Sequence, residues 1–195
     1  MELRVDIKKH KKLRAKGDLI FTKNGIRGPV VLDFAREVTP LLKKYGEVPL
    51  LLNLTKEKNE EEITKHLKEQ ALKNPAFNIV ELVSTLLPQA LSVELCKLAG
   101  VALEINLKKQ SGKARAKLIN LLAWTPLTIN GHDGFRLAMI TRGGVSLKEI
   151  DPKTMQSKLV KGLYFCGEIM NLDGPCGAYN LQWSFASGYM AGKLL

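Results

Sequence analysis

The spacing of apolar and polar positions changes twice along the chain. In residues 1–55 apolar residues fall in short runs bounded by turn formers. Gly17-Asp18-Leu19-Ile20-Phe21-Thr22 and Val48 to Leu54 predict strands. Asn24-Gly25 and Arg27-Gly28-Pro29 are turn signals, and Val30 to Val38 predicts a short helix opening after Pro29.

Residues 56–123 take up a helical period. Thr55 or Asn59 can cap a helix that opens with Glu60-Glu61-Glu62, acids suited to a helix N-terminus. Ile63, Leu67, Gln70 and Ala71 follow at helical spacing. Phe77 to Leu87 predicts a second helix ending at Pro88. Gln89 to Leu98 predicts a third, closed by Gly100, and Gly112 to Leu122 a fourth. Such short amphipathic helices pack as a small bundle.

After Trp124 the rhythm changes again. Leu127-Thr128-Ile129 and Phe135 to Thr141 predict strands, and Arg142-Gly143-Gly144-Val145 a turn. Gly162 to Glu168 reads as a compact apolar strand ending in an acid, followed by the loop Asp173-Gly174-Pro175-Cys176-Gly177. Tyr179 to Leu195 predicts a helix with Leu181, Phe185, Gly188 and Gly192 on neighbouring turns. The expected class is α/β, or α+β if the chain is a fragment.

Composition adds bounds. With 195 residues, 45% hydrophobic and 25% charged, the chain has the balance of a globular protein of one large or two small domains. No apolar run approaches the roughly 18 residues of a membrane span, and Met1-Glu2-Leu3-Arg4 begins charged. A cytoplasmic protein with no membrane partner is the expectation. Net charge is +11, from 30 Lys+Arg against 19 Asp+Glu. The densest run is Lys8-Lys9-His10-Lys11-Lys12-Leu13-Arg14, with a second at Lys108, Lys109, Lys113, Arg115 and Lys117. Both read as solvated faces rather than a nucleic-acid site, because a basic run alone carries no base-reading chemistry. Cys96, Cys166 and Cys176 lack CxxC spacing, and His10, His66 and His132 lack metal-ligand spacing, so no metal is expected.

The segment that carries chemistry runs from Gly162 to Gly192: strand, acid, glycine-rich loop, helix. It suits an anionic or electron-rich ligand. A helix N-terminus offers unpaired amides and partial positive charge, and glycines let a ligand approach the backbone. Glu168, beyond a strand's carboxyl end, can accept hydrogen bonds from sugar-like hydroxyls. The competing reading of the glycines is plain turn geometry. Trp183 reads as a core aromatic, and Cys176 as a loop thiol without a nearby second cysteine.

Asp151-Pro152-Lys153-Thr154-Met155-Gln156-Ser157-Lys158-Leu159-Val160, then Gly162-Leu163-Tyr164-Phe165-Cys166-Gly167-Glu168 and Asp173-Gly174-Pro175-Cys176-Gly177-Ala178-Tyr179-Asn180-Leu181-Gln182-Trp183, form one continuous signature. It resembles the C-terminal part of bacterial NAD(P)/FAD-dependent oxidoreductases of the aminoacetone-oxidase-like and bile-acid-reductase-like kind. Thr141 to Val145, Gly17 to Thr22 with Gly25 to Pro29, and Leu86-Leu87-Pro88 extend the resemblance upstream. It implies a Rossmann-like FAD domain interrupted by an insertion. Residues 1–130 would be the insertion, β-rich over 1–55 and helical over 56–123, and 131–195 the returning piece of the FAD domain. It implies FAD as cofactor, NAD(P)H as electron donor and an unknown small-molecule substrate. The cofactor-binding residues it implies are Arg142, Gly143, Gly167, Glu168, Asp173, Gly174, Gly177, Tyr179, Asn180, Leu181 and Gln182; no catalytic residue is named. No GxGxxG fingerprint for the ADP end is present, and Ala178 stands where many members carry a second glycine. The expectation is therefore a C-terminal portion whose nucleotide-binding half lies elsewhere, possible as a separate chain. The alternative is a non-catalytic remnant or interaction module.

Overall fold

The apolar alternation of the first segment becomes a sheet. In the computed structural model, which describes residues 1–193, strand β1 (Glu2–Val5) buries Leu3 and Val5. It pairs antiparallel with β2 (Arg14–Lys16), Leu3 opposite Ala15. Strands β3 (Ile20–Thr22) and β4 (Gly25–Arg27) form a separate hairpin joined by the turn at Lys23-Asn24. Only the last part of the strand expected over Gly17 to Thr22 is extended and paired with β4; the Gly17 amide donates to the Met1 carbonyl at the end of the β1–β2 pair.

Helix α1 (Pro29–Tyr45) is longer than the helix expected over Val30 to Val38. Val30, Phe34, Val38 and Leu41 are buried on one stripe, at the spacing of an amphipathic helix. Strand β5 (Val48–Asn53) follows and buries Val48, Leu50 and Leu52. After it come α2 (Glu60–Lys73), α3 (Ile79–Val83), α4 (Gln89–Ala99) and α5 (Gly112–Ala123), then β6 (Thr125–Ile129). The main sheet has the order β2-β1-β5-β6, with every neighbour antiparallel.

Local chemistry sets the helix ends. Asn59 caps α2 through a reciprocal box with Glu62, and Asn78 caps α3 in the same way with Glu81. Gly100 closes α4 at φ 74°, which a side-chain-bearing residue resists. The helix expected over Phe77 to Leu87 stops at Val83. There the Thr85 hydroxyl donates to the Leu82 carbonyl, and Pro88 disfavours helical geometry at the preceding residue. Between β5 and α2, Lys56 and Glu57 adopt positive φ. Buried Asn53 holds them: its Oδ1 accepts from the Thr55 and Glu57 amides, and its Nδ2 donates to the Lys58 carbonyl.

The chain divides into two compact units. One comprises residues 1–20 and 40–130, the other residues 21–39 with those from 131 onward. In the first unit, α4 and α2 both pack on α5, and α3 packs on α4. Ile63, Leu67, Ile79, Leu82, Leu95, Leu118 and Leu122 are buried with the apolar side of the sheet. In the second unit, the strand expected over Phe135 to Thr141 is absent. Gly134–Leu137 forms a 3-10 turn, and Phe135, Leu137 and Met139 are exposed. A strand needs a ladder partner, and this segment has none among the described residues. Helix α6 (Tyr179–Gly192) matches the last predicted helix, except that residues 194 and 195 lie outside the described residues. No described helix is long and apolar enough to cross a membrane.

Candidate functional site

The glycine-rich loop and the start of α6 form the candidate site, within the second unit. Their floor is a small core of Ile150, Met155 and Met170, packed by Val145, Phe165, Trp183 and Met190. Trp183 thus takes the core place expected of it, although its indole N–H is buried without a hydrogen-bond partner. Val145 and Met170 form a parallel bridge, with the Val145 amide donating to Ile169 and the Asn171 amide to Val145. Gly144 makes this approach possible. It sits at φ 125°, and a Cβ there would lie 2.3 Å from the Ile169 carbonyl oxygen.

The segment expected to be the strand Gly162 to Glu168 requires correction. Its backbone is bonded on one edge: Leu163 donates to Val160, and Phe165 to Met155. Among the described residues its one bridge is Tyr164 with Gln156. The Tyr164 and Cys166 amides on the other edge have no partner among the described residues, so no ladder forms. Gly167, at φ 69°, then turns the chain into the 3-10 turn Gly167–Ile169. Glu168 stands exposed on this turn, not at the end of a formed strand. The Gly167 amide donates to Ser187 Oγ at 2.9 Å, which ties the turn to α6.

The loop is held from both sides. Asn180 clamps Gly174 with its whole amide: Oδ1 accepts from the Gly174 amide at 2.7 Å, and Nδ2 donates to the Gly174 carbonyl at 3.0 Å. A Cβ on Gly174 would meet Tyr179 Cβ at 3.1 Å. From the other side, α1 supplies two charged residues. Asp33 Oδ1 accepts from the Cys176 amide at 2.6 Å, and Arg36 pairs with Asp173 at 3.2 Å. Arg142 donates to the Arg36 carbonyl at 2.9 Å. The fold therefore joins Arg142, Asp173, Gly174 and Asn180 in one network.

Helix α6 opens uncapped. Gly177 at φ 131° and Ala178 at φ 66° make the left-handed entry, and Ala178 contributes no side-chain cap. The first intrahelical bond runs from the Gln182 amide to the Ala178 carbonyl. Among the described residues the amides of Tyr179, Asn180 and Leu181 have no side-chain cap and no backbone acceptor at close hydrogen-bond geometry, a helix start suited to negative charge. Tyr179 and Leu181 expose their side chains beside it. Gln182 enters through its backbone only. Gly143 has open space around it at φ 107°. Cys176 is exposed, and no cluster of metal-ligating side chains occurs among the described residues.

Sequence reasoning missed Asp33 and Arg36. Helix α1 reads as an amphipathic helix, and nothing in its pattern signals a loop more than a hundred residues away. The paired signs of Arg36 and Asp173 could have suggested the contact only once the two segments were known to meet.

The chain is 29% identical over 177 residues to the 3-dehydro-bile acid delta(4,6)-reductase of Clostridium scindens, covering 91% of this chain and 43% of that protein. It is 36% identical over 172 residues to the ribosomal RNA dihydrouridine synthase of Haemophilus influenzae, covering 88% and 40%. To the Escherichia coli protein of the same name it is 33% identical, with the same coverage. The chain thus spans less than half the length of these relatives. The model of the HI0933-like protein Rossmann domain matches residues 34–194, and the chain belongs to that family.

Proposed function

We propose that this chain supplies the flavin end of an FAD site in an oxidoreductase. What carries the reading is the uncapped start of α6 beside the clamped glycine-rich loop. The amides at the uncapped start of α6, Tyr179 to Leu181, suit the electron-rich edge of an isoalloxazine, and the exposed faces of Tyr179 and Leu181 suit its apolar rings. Glu168 is free to accept hydrogen bonds from cofactor hydroxyls. Asp173, Gly174 and Gly177 keep the loop close to the helix start, while Arg142 and Gly143 border it from the preceding turn. When bound, FAD carries the hydride, with NAD(P)H as donor and an organic molecule as acceptor. The chain's residues bind and orient it. In this reading residues 131–195 belong to the FAD domain and 1–130 to an insertion. The ADP-binding part comes from polypeptide corresponding to the remainder of the relatives, in the same protein or a separate chain.

A direct test titrates FMN, which carries only the flavin end, into the chain. Saturable quenching of flavin fluorescence is expected, with no competition by ADP. Glu168→Ala should weaken binding about tenfold, the loss of a charged hydrogen bond. Absence of saturable quenching would sink the reading.

The relatives leave two substrate classes open, since by name one acts on a 3-dehydro-bile acid and two on ribosomal RNA. Charge favours RNA. Residues 1–20 and 40–130 hold 20 Lys+Arg against 12 Asp+Glu, a net +8 of the chain's +11. A second reading, an interaction module without catalysis, draws on Leu181, Phe185 and Tyr189. These are exposed at four-residue spacing along α6, a stripe fit to be covered by another polypeptide.

A further inference from the structure

The basic run at Lys8 to Lys12 takes on a different meaning once folded. It forms the connection from β1 to β2, with Lys8–His10 as a 3-10 turn. The connection is fixed by its backbone: Val5 donates to Leu13, Asp6 to Pro49, His10 to Ile7 and Leu13 to His10, all within 3.0 Å. His10 Nε2 lies 3.2 Å from the hydroxyl of Tyr45, the last residue of α1, and the two rings meet edge to face. That contact brings Lys43 and Lys44 to the same place. Lys8, Lys9, Lys11, Lys12, Lys43 and Lys44 are all exposed, and none forms an ion pair among the described residues. The acids of the two segments are Asp6 and Glu47. Six lysines on a rigid scaffold repel one another with little local compensation, and a polyanion relieves that repulsion.

We infer that this surface binds the phosphate backbone of RNA and presents the Tyr45 ring to an unpaired base. The inference rests on the RNA branch of the reading above. Lysines supply phosphate contacts, and Tyr45, 39% exposed, held by His10 and with Lys44 Nζ 5.2 Å from its ring centroid, supplies an aromatic ring for an unpaired base beside a cation. An anionic membrane fits less well. Apart from Tyr45, no large hydrophobic side chain of residues 6–16 or 42–47 is exposed, and peripheral membrane binding needs apolar insertion beside the charge.

The test measures fluorescence anisotropy of a labelled RNA stem–loop, and of a fully paired duplex, against the chain over a range of KCl. Binding should weaken steeply with salt. The combined variant Lys8→Ala, Lys9→Ala, Lys11→Ala, Lys12→Ala should lose at least tenfold in affinity, and its log–log salt slope should fall by about 0.7–0.9 per phosphate contact removed. Tyr45→Ala should erase any preference for the stem–loop over the duplex. Lys108→Ala with Lys109→Ala and Lys113→Ala, in the second basic run, should change little. Circular dichroism checks folding, which loss of exposed lysines should leave intact. Unchanged affinity in the combined variant would overturn the surface while leaving RNA as a substrate. No RNA binding at low salt would overturn both. Phosphatidylserine vesicles that compete RNA off would overturn the choice of partner. FMN titration of the same variants reports separately on the flavin reading, and should not move.

Discussion

The two units close their apolar surface to different degrees. In residues 1–20 and 40–130, sheet and helices bury their large side chains together, and only Ile20, Tyr45, Leu72 and Leu98 stand out as exposed large hydrophobics. The other unit buries Val30, Phe34 and Val38 on α1 and a cluster of Ile150, Met155 and Met170, yet exposes Phe135, Leu137, Met139, Leu159, Ile169, Leu181, Phe185 and Tyr189 among others. Its last helix, α6, exposes Tyr179, Leu181, Phe185 and Tyr189 while Trp183 and Met190 pack on the small core. The contrast also appears in the backbone. Strands β1 and β5 pair along their lengths, whereas the Tyr164 and Cys166 amides lack partners among the described residues. One unit buries most of its large apolar side chains; the other leaves many of them exposed.

The largest effects should separate the units by mutation. Leu52→Ala or Leu118→Ala removes a fully buried side chain and should cost about 2–5 kcal/mol in urea unfolding. Phe185→Ala, at a residue 65% exposed, should stay within about 0.5 kcal/mol. A cost at Phe185 equal to that at Leu52 would erase the distinction. It would mean that something covers α6, and dependence of the midpoint on protein concentration would identify a second copy.

Legibility in the sequence followed the same division. Asn59, Asn78 and Gly100 act through neighbours three to five residues away, so helix ends in the first unit can be read locally. Strand β5 carries its own alternation. In the second unit, 162–166 has strand composition, but composition does not supply a ladder partner. The glycine-rich loop was legible as a turn leading into a helix, because glycines cluster just before a helical run. Its supports were not. Asp33 and Arg36 reach it only through tertiary structure, as Lys43 and Lys44 reach the Lys8 to Lys12 run.

A middle-sized effect should sharpen the comparison inside the second unit. Gly144→Ala forces a Cβ to 2.3 Å from the Ile169 carbonyl at a positive φ, whereas Gly143 has empty space around it. Gly144→Ala should therefore cost more than the roughly 1–3 kcal/mol of backbone strain that Gly143→Ala carries alone. Hydrogen exchange should speed up at the Val145 and Asn171 amides, which bridge this turn to 169–170, and not at β1 or β5. Equal exchange in the two variants would remove the close approach as the reason for that glycine.

The smallest effect concerns thiols. Cys96 is buried on α4 in the first unit, while Cys166 and Cys176 are exposed in the second. An aromatic disulfide reagent should modify two thiols quickly and the third only after urea is added. Burial pushes the Cys96 thiol up to about 11 from its usual 9.0. Its folded form thus keeps a proton that the unfolded chain releases. By linkage, stability falls as pH rises from about 9 to about 11, by at most about 1.4 kcal/mol per pH unit, and levels off above. Cys96→Ala deletes this contribution, so parent and variant should diverge across that window while lysine titration affects both alike. Parallel curves would mean that Cys96 ionises as freely folded as unfolded, and that the first unit admits water to a place where the packing of α4 against α5 excludes it.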